Sequence, residues 1–424
     1  MTAASEFDFE AAYAAAAPRT LNLADYGAER FTGSPPPVAW LVEGSIPLGV
    51  PALLAAMGDT GKSFVALNAC YHVAVPPPEP TGNLNFNATR KVLGGQVVAH
   101  GTAVFITAED NDASLHRRLT TIDPFEMRKR HSGKLIAVAL PSAGGPMPFF
   151  VRDHNGVLVT DAWHMIRDQL SKIKDLKLVS FDPLANFAQV ALDTDSTDAQ
   201  FVTSQFGSLA AETGATVLLP HHMRKTSKAP ANVAEAREAI RGSSGIVDGV
   251  RLAYALWPVD EAEGKHVCRS LQIPFLLNRV VKGAVVKANE SASREIAIYV
   301  RSDNGLLIDR TAELQHLKPA WDDLQEDLIA AVADRAQAGL PFNKTGKGGL
   351  YEQRERLPRS LRTLGRDRLQ NLCQELIDAG EIVQCRATGS NVAQWLDVPG
   401  GPFALGSGEF VHGADIVKFA SERS

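Results

Sequence analysis

The sequence predicts an α/β protein: a parallel sheet flanked by helices, followed by a small unit of helices and a hairpin. Three observations carry this. Short apolar runs at Pro51–Ala56, Ala103–Thr107, Leu135–Leu140, Leu176–Phe181 and Thr216–Pro220 alternate with helical patterns, and their length and β-branched content suit strands buried on both faces. The first run passes through a glycine-punctuated turn into a helix that opens at Lys62-Ser63. Beyond about residue 256 the pattern changes to alternating runs such as Ile296–Val300 and Leu306–Ile308, which read as antiparallel strands at the sheet edge.

Taken in order, residues 1–36 are alanine-rich and then polar, and are expected to form a flexible arm ending near the prolines 35–37. Residues 37–318 hold the sheet. Within them Val75–Gly82 reads as a proline-rich surface insertion, and Asp193–Asp198 and Lys225–Glu235 as polar loops. A boundary is expected near Lys318-Pro319, with a second domain over 319–400 and a tail over 401–424.

Composition narrows the class. With 424 residues, 45% of them hydrophobic and 21% charged, the chain has the profile of an ordinary globular protein of two or three domains. It holds no apolar run of the length a membrane span needs, and Met1–Asp8 has no basic stretch of the secretory kind. Cys70, Cys268, Cys373 and Cys385 lie far apart without metal-ligand spacing, which points to a reducing cytoplasm. A net charge of −5 argues against a globally basic DNA-coating protein and leaves room for a local basic patch.

The segment Leu53–Phe64 has the strand–loop–helix context of a phosphate-binding P-loop. Gly58, Asp59, Thr60, Gly61, Lys62, Ser63 and Phe64 would wrap an anion with inward-facing amides, helped by the helix N-terminus. Lys62 can reach the β- and γ-phosphates, and the Ser63 hydroxyl can ligate Mg²⁺. Ala56 stands where the first glycine of the strict pattern is usual.

Four later segments add roles. Glu109 follows a buried strand, where a carboxylate can activate a water for attack on the γ-phosphate. Asp182 ends another apolar run, in the position of an aspartate that steadies Mg²⁺ through its waters. The run Thr216–Pro220 ends in His221-His222; neighbouring side chains on an extended chain point to opposite faces, so a γ-phosphate sensor, His222 in preference to His221, fits better than a zinc pair. Arg241 and Arg251 flank the Gly/Ser-rich stretch Gly242–Gly249, and either could be an arginine finger supplied to a neighbouring subunit.

Together these pieces resemble the RepA-type ATPases, the hexameric replicative helicases of plasmids and phages within the RecA-like superfamily. The matching elements are the P-loop through Ser63, Thr107–Asp110, Asp182-Pro183-Leu184, Gly214–Val217 leading into His221–Lys225, and Arg241–Ser244 with Val247-Asp248 and Arg251. Order and spacing agree over about residues 40–300. The resemblance implies a RecA-like sheet, ATP and Mg²⁺ held by Lys62, Ser63 and Asp182, Glu109 as catalytic base, His222 as sensor and Arg251 as the finger in trans. It also implies a homo-oligomeric ring, hexameric in the family, acting on single- or double-stranded DNA with a replication initiator or primase as partner. The family's basic stretch after the last strands is matched only loosely by Asn278–Gly283.

The C-terminal hundred residues have another character. Trp321–Ala338 and Arg366–Ala379 have helical apolar spacing, Gly380 stops the second helix, and Glu381–Arg386 with Asn391–Leu396 read as a hairpin turning at 388–390. Between Lys344 and Arg368 there are eight Lys/Arg against three acids. Helices followed by a hairpin resemble a winged helix-turn-helix, with Arg366–Ala379 as recognition helix; such modules bind DNA or dock proteins. Two functional readings follow: a DNA-dependent ring ATPase that moves along single-stranded DNA, or a nucleotide-controlled DNA-binding regulator or assembly ATPase.

Overall fold

The computed structural model describes residues 22–77, 90–154, 156–224, 229–242, 244–386 and 392–404, without the side chains of 244 and 317–320. Most of the expected arm, positions 78–82 of the insertion, 225–228, Ser243, the hairpin turn 388–390 and most of the tail lie outside the described residues.

A nine-stranded sheet forms the centre. Its strands, in chain order, are β1 (Pro51–Ala56), β2 (Thr102–Thr107), β3 (Leu135–Ala139), β4 (Leu176–Asp182), β5 (Thr216–His222), β6 (Leu252–Pro258), β7 (Val280–Ala288), β8 (Ala297–Arg301) and β9 (Leu307–Asp309). The spatial order is β9-β8-β7-β6-β1-β5-β4-β2-β3. The six strands from β6 to β3 in that order pair in parallel, and β7, β8 and β9 extend the β6 edge in antiparallel fashion. The P-loop strand thus lies in the middle, flanked by β5 and β6.

Strict alternation explains why the parallel runs are apolar throughout. Leu53, Ala55, Val104, Ile106, Val179, Phe181, Val217 and Leu219 enter the core on one face. Their neighbours Ala52, Leu54, Ala56, Ala103, Phe105, Leu178 and Leu218 enter the core on the other. The first core is dense in aromatics: Phe149, Phe150, Trp163, Phe181, Phe187 and Phe206 meet with ring centroids 4.9–6.4 Å apart. Fully burying side chains of this size contributes about 1.5–3 kcal/mol each, which anchors the carboxyl half of β4.

On the opposite face lies α1 (Lys62–Ala74), buried from Phe64 to Ala74 and packed against β1, β2, β4 and β5. Beside it runs α2 (Asp112–Ile122), capped by the Asn111 side chain, which accepts from the Ser114 amide at 2.9 Å. The first face carries α3 (Asp161–Ser171) and α4 (Ser196–Thr213), and α5 (Glu261–Ser270) follows β6.

Several elements differ from the sequence reading. Asp193–Asp198 is not a free polar loop: Asp195 caps α4 by accepting from the Thr197 and Asp198 amides, and buried Asp198 is paired with Arg152. The polarity there serves helix initiation and an ion pair rather than solvation. The two histidines occupy the last two positions of β5, because the strand continues past Pro220 in register with Ala55 and Ala56. The Gly/Ser-rich stretch acquires a packing role: a Cβ at Gly245 would lie 2.6 Å from the Ser196 carbonyl oxygen, and one at Gly249 2.0 Å from the Thr203 hydroxyl. Only glycine lets the short helix Ser244–Gly249 approach α4 so closely.

The C-terminal unit begins within α6 (Thr311–Gln337). The boundary expected near Lys318 falls inside this helix. Leu314 packs with Val267, Cys268 and Val280, whereas Trp321, Leu324 and Leu328 pack with the C-terminal cluster of Leu361, Leu369, Leu372 and Leu376. After α6 come α7 (Arg366–Asp378) and an antiparallel pair, β10 (Val383–Cys385) and β11 (Trp395–Asp397), in register Gln384↔Leu396.

Candidate nucleotide site

The P-loop leaves β1 and turns sharply before α1. Gly61 caps the helix with φ 92°, a left-handed conformation that favours glycine, and Asp59 also sits at φ 61°. This conformation turns the loop's amides toward a cavity of about 390 Å³ lined by Met57–Phe64, Arg118, His222, Arg301, Asn304 and Gly305. Gly58, Asp59, Thr60, Gly61, Lys62, Ser63 and Phe64 all border it.

The carboxyl ends of three more parallel strands converge beside it. The Ala108 amide donates to the Asp182 carbonyl at 2.9 Å, which holds the ends of β2 and β4 level. Thr107 then accepts from the amides of Glu109 and Asp110 at 3.3 Å each, shaping the turn that presents Glu109 to solvent. Asp182 is completely buried, and neither carboxylate oxygen has a hydrogen-bond partner among the described residues. Burial raises its pKa to about 6, against the lowering pull of the Ser63 hydroxyl and the Lys62 ammonium; Glu109 and Asp110 push the same way as burial. A buried carboxylate with two unpartnered oxygens next to the P-loop serine is a donor set that suits a hydrated Mg²⁺.

His222 lines the same cavity. Its pKa is lowered, first by burial and then by Lys62, with Glu109 opposing, so the imidazole is neutral at pH 7 and can donate one hydrogen bond. His221 is buried, with Nε2 2.8 Å from the Arg241 carbonyl oxygen. Lys62, Ser63, Glu109, Asp182 and His222 thus form one electrostatically coupled group.

The two arginines part company. Arg241 lies at this same pole: its amide donates to the His222 carbonyl at 3.1 Å and its side chain is paired with Asp193 at 2.6 Å. Arg251 precedes β6, where Leu252 pairs with Ala52 at the start of the P-loop strand, so it sits at the opposite pole of the sheet and does not reach the P-loop of its own chain. In the loosely basic stretch Asn278–Gly283, Arg279 is paired with Asp303 at 2.9 Å and Lys282 with Glu263 at 2.6 Å.

Sequence reasoning missed Arg118, Arg301 and Asn304. Arg118 is paired with Asp110 and lies 5.9 Å from the Phe64 ring centroid. Arg301 ends an ordinary-looking edge strand, and nothing local marks it. Its place depends on strand pairing across the sheet, which a local pattern does not encode.

A P-loop on the central strand of a parallel sheet, with acids at the ends of β2 and β4, defines a RecA-like P-loop ATPase. Residues 17–228, half of the chain, match the family described as AAA domain; the chain belongs to that family. The fold is also similar to that of a KaiC-like protein from the hyperthermophilic archaeon Pyrococcus horikoshii, at 16% identity and a TM-score of 0.38, over 63% of this chain and 93% of that one. No curated protein matches the chain.

Proposed function

We propose that this AAA-family ATPase is a DNA-interacting ring ATPase, a replicative helicase of a plasmid, phage or integrated element, working in the cytoplasm. The observation that supports the reading most is the coupled group of Lys62, Ser63, Glu109, Asp182 and His222 at one edge of the sheet. It contains a water-activating carboxylate, which a purely structural nucleotide site does not need.

In this reading Lys62 and the P-loop amides hold the β- and γ-phosphates of ATP. Ser63 and Asp182 would hold Mg²⁺, which when bound neutralises phosphate charge. Glu109 orients and deprotonates the attacking water, and neutral His222 donates to the γ-phosphate and senses its loss. Arg251, distant from its own P-loop, serves the site of the next subunit in a ring, and Arg241 is the substitute finger. The C-terminal unit acts as a winged helix on DNA, with a replication initiator or primase as a further partner.

The deciding experiment measures ATP hydrolysis with and without single-stranded DNA, and unwinding of a tailed duplex. Stimulation with unwinding supports the helicase. The alternative is a nucleotide-controlled DNA-binding regulator, favoured by the basic excess around α7; it predicts duplex binding without stimulation or unwinding.

A further inference from the structure

The P-loop cavity has a continuation. A second cavity of about 550 Å³ is bordered by Phe64, His116, Arg118, Thr120, Thr121 and Asn304. It shares Phe64, Arg118 and Asn304 with the P-loop cavity, whereas Lys62 and His222 border only the latter. The polarity of a bound triphosphate follows from this arrangement. Lys62 reaches the β- and γ-phosphates, and His222 stands beside Lys62, so the α-phosphate and everything attached to it leave past Phe64.

We infer that this trough, between the second half of α2 and the β8–β9 turn, seats the base and ribose of the bound nucleotide. The inference rests on the nucleotide-binding reading above and extends it to the half of the ligand that the P-loop does not touch. The walls have the right chemistry. Phe64 offers an aromatic surface at the junction, and a Cβ on Gly305 would stand 3.6 Å from that ring, so the β8–β9 turn closes directly against it. Arg118 is held by Asp110 and stacks toward the same ring, which makes it a fixed partition between the phosphate and nucleoside halves. The Thr120 and Thr121 hydroxyls donate to carbonyls of their own helix, so they present methyl groups and lone pairs rather than competing donors. Asn304 accepts from the Ser302 hydroxyl at 2.6 Å, which fixes its amide and leaves the NH₂ to donate to an acceptor on the base edge. Apolar surface with a few oriented polar groups is the usual makeup of a nucleoside seat.

The test compares a ligand that has a nucleoside with one that lacks it. Equilibrium binding of ADP and of inorganic tripolyphosphate is measured on the full chain, on Asn304→Ala and on Thr121→Trp, which fills the trough. Expected is a loss of ADP affinity of roughly tenfold or more, the scale of removing one base stack or one hydrogen bond to a base edge, with tripolyphosphate affinity within about twofold of the parent. Retained tripolyphosphate binding also shows that each variant has folded. Unchanged ADP affinity in both variants, or a parallel loss for both ligands, overturns the nucleoside seat while leaving the P-loop reading intact. Failure of the parent chain to bind either ligand overturns the nucleotide reading itself, and the seat with it.

Discussion

The Arg301 guanidinium donates a 2.8 Å hydrogen bond to the carbonyl oxygen of Asp59, joining the end of β8 to the P-loop across 242 residues of sequence. A second bond from its Nε to the Asn278 carbonyl, at 3.3 Å, holds the side chain in place. The loop's left-handed Asp59 is therefore braced from the antiparallel edge of the sheet. Charged hydrogen bonds of this kind contribute about 1.5–3 kcal/mol. Arg301→Ala is expected to weaken ADP binding by roughly tenfold, with Arg301→Lys recovering part of the loss. Titration calorimetry on the two variants checks this; unchanged affinity in Arg301→Ala would show that the loop keeps its shape unaided.

Lys62→Ala is expected to abolish hydrolysis by removing the ammonium that holds the phosphates. Glu109→Gln should keep ATP binding and lose a factor of ~10²–10⁴ in turnover, the usual worth of a positioned base. Single-turnover assays with labelled ATP separate the two, and a Glu109→Gln protein with parental turnover would move the base to another residue.

Asp182 yields a pH signature. Its pKa is raised from the ordinary 3.8 to about 6, so the folded chain binds a proton more tightly than the unfolded chain. The sign follows: stability without Mg²⁺ falls as pH rises from about 4 to about 6 and stays reduced above that, by on the order of 1–3 kcal/mol. Asp182→Asn should consequently raise the melting temperature at pH 8 in metal-free buffer while losing Mg²⁺-dependent hydrolysis. In the parent, Mg²⁺-dependent nucleotide binding should decline as pH drops through about 6, because the protonated carboxyl no longer attracts the ion. Calorimetric scans at pH 5 and pH 8 measure the first effect.

Arg251→Ala is expected to assemble and bind ATP yet lose ~10³–10⁵ in turnover, as arginine fingers do in other systems. Mixed with Lys62→Ala protein it should regain activity, since some interfaces then combine an intact Lys62 with an intact Arg251. Hydrolysis by a demonstrably monomeric parent chain would refute the trans role and pass it to Arg241.

Replacing Arg362, Arg366 and Arg368 together with alanine is expected to lower DNA affinity and its salt dependence, by ~0.9 log units per log unit of salt for each phosphate no longer neutralised. Arg366 is already paired with Glu352 at 2.6 Å and Arg368 stacks 5.5 Å from the Trp321 ring centroid, so phosphate must compete with these partners. Duplex binding at several salt concentrations measures the slope, and an unaltered slope would assign the face to a protein partner.

Much of the sheet was legible because burial on both faces leaves a continuous apolar run, and five such runs became β1 to β5 within a residue or two at each end. The sixth parallel strand, β6, escaped notice: Leu252–Pro258 is just as apolar but abuts polar segments that carry no turn signal of the earlier kind. Lys62, Glu109, Asp182 and His222 were readable because each stands at or just past the carboxyl end of such a run. Arg301 and Asn304 were not, since their place follows from the pairing of β8 with β7 and β9, a relation between distant segments. Asp195 and Asp198 misled for the opposite reason: a polar cluster looks the same whether it faces solvent or caps a helix.

The helix α6 has a mechanical consequence. Because it runs unbroken from the sheet edge at Thr311 into the C-terminal core, the two units are joined by a stiff rod rather than a tether. Glu375 of α7 clamps the joint, accepting from the Trp321 indole at 3.2 Å and pairing with Arg269 of α5. Any rotation that nucleotide turnover imposes on the antiparallel edge is therefore delivered to the far unit as a swing of that rod, and the indole of Trp321, lodged at the fulcrum, is a built-in fluorescent gauge of it.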